Sequence, residues 1–414
     1  MRGICRPILR AVLATLGAAM LGPAVGAGQD RPGSIAWRDH PAIAYDTRPT
    51  ADPVARLIGE MERGLVELEW ERGSGYLRSV LTALQVPLDS QIAVFAEDSL
   101  QARRIALENP RTIFFNDEVA VAWVRGGFIE VASQDPAQGV IFYALDRTWL
   151  GRPRLARRND CLSCHAKPAT QTIPGMLMHV DHRTPVAERW TGWYVTGDLG
   201  SVQHFGNAAI DRLFSASPPQ GRFNWPSLEG KFDRSGYLTP YSDVGALMVF
   251  EHQMQMMNLL ARVGWTARVS GDPDNTIDAA AVGLDQVVRE AVDYMLFIDE
   301  PPIPGRLRGT SGFAERFGAQ GPRDRRGRSL RQLDLATRLL RYPCSYLIYS
   351  QQFDSLPVEA KSALYRRLWD VLSGVETDAR YSRLSLDARR AIVEILRDTK
   401  PQLPDYFRPL PADE

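Results

Sequence analysis

The chain has 414 residues, 44% of them hydrophobic and 24% charged, enough to bury a sizeable core and too apolar for wholesale disorder. Its 45 arginines and 4 lysines are matched by 49 acidic residues spread along the chain, so no basic face for nucleic acid stands out.

Residues 1–27 differ in character from the rest of the chain. Arg2, Arg6 and Arg10 form a basic start, "AVLATLGAAML" an apolar centre, and "AVGA" places small residues at Val25 and Ala27, which predicts a secretory signal peptide. The apolar run is too short to span a bilayer and is broken by Gly22 and Pro23, so no transmembrane anchor is expected after cleavage. Export to the periplasm or beyond is the expectation. Cleavage removes three arginines and no acids, leaving 46 basic against 49 acidic residues and a net charge of −3. It also leaves three cysteines, Cys161, Cys164 and Cys344, an odd number for an oxidising compartment.

An N-terminal region at 28–150 opens with an extended arm, then a helix over 53–71 in which Val54, Leu57, Ile58, Met61, Leu65 and Leu68 recur at helical spacing. A second helix is expected at 98–108. Between 111 and 146, four short β-branched and aromatic runs separated by Asn-Asp, Gly-Gly and Asp-Pro signals predict an antiparallel meander. The region 151–305 begins with a Pro- and Arg-rich loop and contains an aromatic, glycine-rich stretch at 190–241. Helices are expected at 242–262, 276–298, 329–341, 357–374 and 385–399, with 306–328 an exposed linker and 329–414 a helical C-terminal region. The fold class is α+β, with a mostly helical remainder built around a cofactor.

That cofactor is indicated by Cys161, Leu162, Ser163, Cys164 and His165, a CxxCH pattern. Two thiols at this spacing can each add to a haem vinyl group while the next residue brings an imidazole to iron, so the pattern predicts one covalent haem c. Composition alone yields roughly 0.0006 such matches in a chain of this kind, which makes chance a poor explanation. A thioredoxin-like redox pair would open a helix inside a βαβ unit, zinc would want a fourth ligand at motif spacing, and a disulfide across two residues is strained.

The sixth iron ligand can come from anywhere in the chain. His252 on the 242–262 helix has Met248, Met256 and Leu259 as same-face neighbours and stands slightly ahead of His204, which is followed by Gly206 in "VQHFGN". A lone histidine on an apolar face is more often a satisfied core residue. Met176, Trp193, Tyr194, Phe205, Met248 and Met256 are candidates for the pocket wall, and each is equally an ordinary core residue. Glu251 falls about a hundred degrees from His252 and is not expected to orient its ring. Cys344 reads as a buried small hydrophobe.

The CxxCH residues resemble those of c-type cytochromes. The wider chain resembles an uncharacterised family of exported bacterial proteins with one such site, through "PRTIFFNDEVAVAWVRGG", "CLSCH" followed by "TIPGML", "RWTGWYVTGDLGSVQHFGN", "MVFEHQMQMMN" and "RYPCSYLIYSQQFDSLP". A histidine often found in that family ahead of the counterpart of His204 is Leu199 here, which argues against a histidine pair at that place. The resemblance implies haem binding and, by association, one-electron transfer with a redox partner protein or small-molecule donor or acceptor. With an open distal position, a peroxidase-like enzyme or small-ligand sensor is the alternative; a partner-binding protein with structural haem is a third.

Overall fold

Asp52 begins the first helix. Its Oδ1 accepts the amides of Val54 (2.9 Å) and Ala55 (3.3 Å), and Pro53 supplies a pre-set φ at the first helical position. In this computed structural model, which describes residues 37–145, 152–178, 182–208, 224–273 and 283–411, helix α1 runs Pro53–Glu62 and stops well short of 71. Gly64, at φ 71°, takes the left-handed conformation that ends it, and Leu65, expected on the buried stripe, is 70% exposed. A short helix α2, Leu77–Ala83, forms where none was expected. The helix expected at 98–108 reduces to one 3₁₀ turn at Ala102–Arg104. The signal-peptide residues lie outside the described segments.

The meander is present and larger than expected. Strands β1 (Ile92–Val94), β2 (Arg111–Phe115), β3 (Val119–Trp123), β4 (Ile129–Asp135), β5 (Gly139–Leu145), β6 (Leu155–Arg157) and β7 (Trp193–Tyr194) form one antiparallel sheet in the order β6-β5-β4-β3-β2-β1-β7. Side chains build its turns. Asn116 Oδ1 accepts the amides of Glu118 and Val119 between β2 and β3, and Asp135 Oδ1 accepts those of Ala137 and Gln138 between β4 and β5. Every residue of β5 is buried, because helix α4 (Val244–Ser270) covers one side of the sheet and the N-terminal arm reaches in as well, Tyr45 donating to the Val140 carbonyl at 2.6 Å. β5 also sets the register of β6, pairing Tyr143 with Arg157.

The short segment Leu162–His165 is α3. Helix α4 is capped by Asp243 Oδ1 on Gly245 and Ala246 and is apolar on nearly every face, which marks it as the interior element of the helical half. Helix α5 (Leu284–Met295) lies beside it, and the fold closes with α6 (Phe313–Ala319), α7 (Gln351–Asp354), α8 (Val358–Ser373) and α9 (Leu386–Thr399). Two expectations for this half are corrected. Segment 306–328 is not an exposed linker throughout, since Phe313 and Phe317 of α6 are buried and Phe313 meets Phe115 of β2 with ring centroids 5.7 Å apart. Residues 329–341 form turns joined by a Leu333–Leu340 bridge instead of a helix. The architecture is α+β, and among the described residues no helix is long and apolar enough to cross a membrane.

Candidate functional site

Pairing of β6 with β5 delivers the chain to the motif at the sheet edge. One 3₁₀ turn, Asn159–Cys161, leads directly into α3, fastened by the Arg158 guanidinium on both Asp160 oxygens (3.0 and 2.6 Å) and by Ser163 Oγ donating to the Asp160 carbonyl. Leu162 is buried and anchors the turn in the core. Cys161 is half-buried, Cys164 exposed, and neither is in a disulfide. Burial first, then the Asp160 charge, pushes the Cys161 thiol up to about 11.

His165 ends α3 with its ring against Phe142 of β5, centroids 4.7 Å apart. Its Nδ1 lies 3.0 Å from the Gly175 carbonyl, and the Gly175 amide returns a bond to the His165 carbonyl at 2.9 Å. Burial lowers the imidazole pKa, so the neutral ring donates Nδ1–H to Gly175 and keeps the lone pair on Nε2. The loop between them is braced by Thr170, whose hydroxyl reaches the carbonyls of His165 (3.2 Å) and Ile173 (2.8 Å) and accepts the Lys167 amide. Gly175 itself is held against α4. A Cβ at that position would stand 2.3 Å from Asn258 Oδ1, while Asn258 Nδ2 donates to the Met176 carbonyl at 2.8 Å.

The remaining candidates are dispersed. His252 is buried on α4 with its ring stacked between Tyr294 (5.1 Å) and Phe297 (4.5 Å) and its Nε2 2.8 Å from Ser345 Oγ; burial drives its pKa down to about 3. His204 is buried beside Trp190, its Nδ1 without a hydrogen-bond partner among the described residues and its pKa lowered by burial to about 4. Gly206 gives room to the His204 ring and Val195, which its absent Cβ would meet at 2.9 and 2.5 Å. Trp193 and Tyr194 belong to β7, where Tyr194 packs on Phe95 and donates to the Leu107 carbonyl. Met176 and Met256 are buried and Phe205 is half-buried, and none of the three lines the large cavity that Met248 helps to wall.

That cavity, of about 570 Å³, opens beside Pro168 and Ala169, three and four residues beyond His165. Leu177, Met178 and Met248 form apolar wall, and His252, Tyr294 and Phe297 line another side. Phe297 is held at φ 57°, a left-handed conformation that a bulky residue rarely adopts and that here keeps its ring on His252. The polar end was not legible in the sequence. Arg189, 4% exposed in its side chain, donates to the carbonyls of Thr184 (2.7 Å) and His182 (2.9 Å) and stands between two carboxylates, Glu251 at 3.4 Å and Glu300 at 3.8 Å. Trp190 Nε1 donates to Glu251 Oε1 at 2.8 Å. Glu251, not expected to orient the His252 ring, lines the same cavity as His252. Burial raises both carboxyls, Glu300 to about 7.

Among the described residues no three or more His, Cys, Asp or Glu side chains cluster so as to hold a metal ion. No family model, curated protein or solved structure matches the chain.

Proposed function

We propose that the chain is an exported monohaem c-type cytochrome-like protein that transfers single electrons to or from a redox partner protein or a small-molecule donor or acceptor. Cys161 and Cys164 would hold the haem and His165 Nε2 would ligate its iron. Each thiol would add across one vinyl group, its Sγ to one carbon and its proton to the other, with no atom lost. When bound, the haem supplies a reversible one-electron couple.

The observation that carries this reading is the His165 Nδ1–Gly175 bond. An imidazole whose Nδ1–H is spent on a backbone carbonyl has one tautomer and one orientation, as axial histidines require, and the lone pair left on Nε2 is the ligating one. Cys161, one turn before His165 and half-buried, and Cys164, the residue next to it and at the surface, are free of disulfides. These residues fit the group. Gly175 orients the ring, Thr170 fixes the loop that carries Gly175, and Phe142 packs against the imidazole.

A second reading, a haem enzyme or small-ligand sensor, is favoured by one observation, the cavity opening beside Pro168 and Ala169. Of the distal candidates, His252 already spends its Nε2 on Ser345 and has its ring stacked on Tyr294 and Phe297, whereas His204 Nδ1 has no hydrogen-bond partner among the described residues. Purified protein should retain one haem's mass through denaturation, and Cys161→Ala or Cys164→Ala should weaken or abolish that retention. Haem-free native protein with stoichiometric zinc would overturn the proposal. In wild type, a low-spin spectrum with no carbon monoxide or cyanide binding supports electron transfer, and a high-spin iron supports the second reading.

A further inference from the structure

The sheet register shows which way His165 Nε2 is turned. Val140, Phe142 and Ala144 are alternate residues of β5 and share one face of the sheet. The loop after the motif docks at the Val140 end of that row, where the Val140 amide donates to the Pro174 carbonyl at 3.2 Å, and the next residue, Gly175, holds His165 Nδ1. The imidazole lies against Phe142 in the middle of the row. Nε2, across the ring from Nδ1, is therefore turned toward the Ala144 end.

Two opposite charges stand at that end. Glu130 of β4 pairs in register with Ala144, and Ala122 of β3 lies between Glu130 and Ile113 of β2, so all four share the face. Arg111, two residues before Ile113 and on the same face, crosses β3 to bring its Nε within 3.2 Å of Glu130 Oε2. The two side chains are 21% and 18% exposed, and neither of those atoms has an aligned hydrogen bond among the described residues, so the attraction between them is coulombic. Both charges act on the His165 ring, as does Asp98, and Glu130 acts on Cys161 as well. The charged neighbours of Cys161 within the motif turn, Arg158 and Asp160, are bonded to each other and lie nearer the surface, at 37% and 49% exposed.

We infer that the Arg111–Glu130 pair sets the reduction potential of the iron that His165 Nε2 would hold, Glu130 favouring the ferric state and Arg111 the ferrous one. The inference rests on the reading of His165 as the iron's ligand. Reduction removes one positive charge from the centre, so a negative neighbour opposes it and a positive neighbour assists it. Salt and water screen exposed charges most, which leaves this half-hidden pair more weight than the surface pair Arg158–Asp160.

The test is spectroelectrochemical titration of the full haem-loaded chain. Arg111→Met should lower the midpoint potential and Glu130→Gln raise it, each displacing the ferric–ferrous equilibrium by about fivefold or more, equivalent to about 40 mV at about 59 mV per tenfold for one electron. The double variant should return close to wild type. Arg111→Lys, which keeps the charge and alters the packing, should hold the wild-type potential, and the shifts should survive a rise in salt from about 0.05 to about 0.5 M. Should Arg111→Met fail to fold, Glu130→Gln, a change of charge at nearly constant shape, still decides the sign. Potentials that stay unchanged, move the same way in both single variants or lose their shifts in salt would overturn the inference while leaving the haem in place. Wild-type protein that carries no haem would overturn the underlying reading and this inference with it.

Discussion

Replacing Gly175 by alanine adds a single methyl group at the place where the loop after the CxxCH turn is pressed against α4. That carbon would stand 2.3 Å from Asn258 Oδ1 and 2.8 Å from Asn258 Cγ, distances no van der Waals contact allows. Asn258 is buried, and its Nδ2 holds the Met176 carbonyl. Either the asparagine swings away and that bond is lost, or the loop lifts and carries the Gly175 carbonyl off His165 Nδ1. Overpacking costs about 1–3 kcal/mol and the broken buried bond about 1 kcal/mol, so Gly175→Ala should destabilise by about 2–4 kcal/mol. Asn258→Ala alone should cost about 1–3 kcal/mol, through the orphaned Met176 carbonyl and the small cavity left. In the double variant the clash is absent, so the combined loss should fall short of the sum by about 1–2 kcal/mol. Urea denaturation of the four proteins measures this cycle, and the His165 Nδ1–H resonance reports whether the ring keeps its bond. Additive losses, or a neutral Gly175→Ala, would refute the steric account of how His165 is held.

Phe297→Gly should relieve about 1 kcal/mol of left-handed strain and lose about 3 kcal/mol of ring burial over His252, for a net loss near 2 kcal/mol in thermal or urea unfolding; a stabilised variant would show that the ring is dispensable. Ser345→Ala should cost about 1–3 kcal/mol by stranding His252 Nε2 in the core, and an unchanged midpoint would mean another partner takes it. The Glu300 carboxyl is raised to about 7 chiefly by burial, with Arg189 opposing and Glu251 adding, and Arg383 is the other charge near it. A raised carboxyl contributes stability that is fully present below its unfolded value near 4.5 and is lost as pH rises toward 7, by up to about 3 kcal/mol. Glu300→Gln should therefore gain on wild type between pH 5 and 8 in urea midpoints, and parallel pH profiles for the two proteins would rule the titration out.

Much of the fold was legible because it is local. Asn116 and Asp135 bond amides two and three residues ahead, so the meander's turns are written in adjacent residues, and Asp243 and Ser385 cap α4 and α9 in the same way. The CxxCH turn is as local as a site can be, and its five residues stand together whatever the rest of the chain does. Helical spacing failed where a neighbour decided the outcome. The stripe of α1 continues to Leu68, yet Gly64 breaks the helix, and 329–341 has helical composition but closes as a bridged turn. Phe313 and Phe317, in a segment rich in glycine and arginine, are buried because distant residues supply their partners, Phe115, some two hundred residues earlier, for Phe313 and Tyr346 for Phe317.

The cavity is the extreme case. Arg189, Glu251 and Glu300 each look like a surface charge in sequence, since a charged residue is ordinarily solvated and only long-range packing removes its water. Sequence spacing put Glu251 a hundred degrees from His252, but a cavity wraps more than one face of a helix, so both residues line it. What the order of residues determined is chemistry carried by neighbours, the thiols, the imidazole and the turns. Which charges lost their solvent, which histidine was stacked and capped, and where a space was left between segments 168–178, 182–189, 248–255 and 294–300 were decided by the docking of α4 and α5 beneath the loop that succeeds His165.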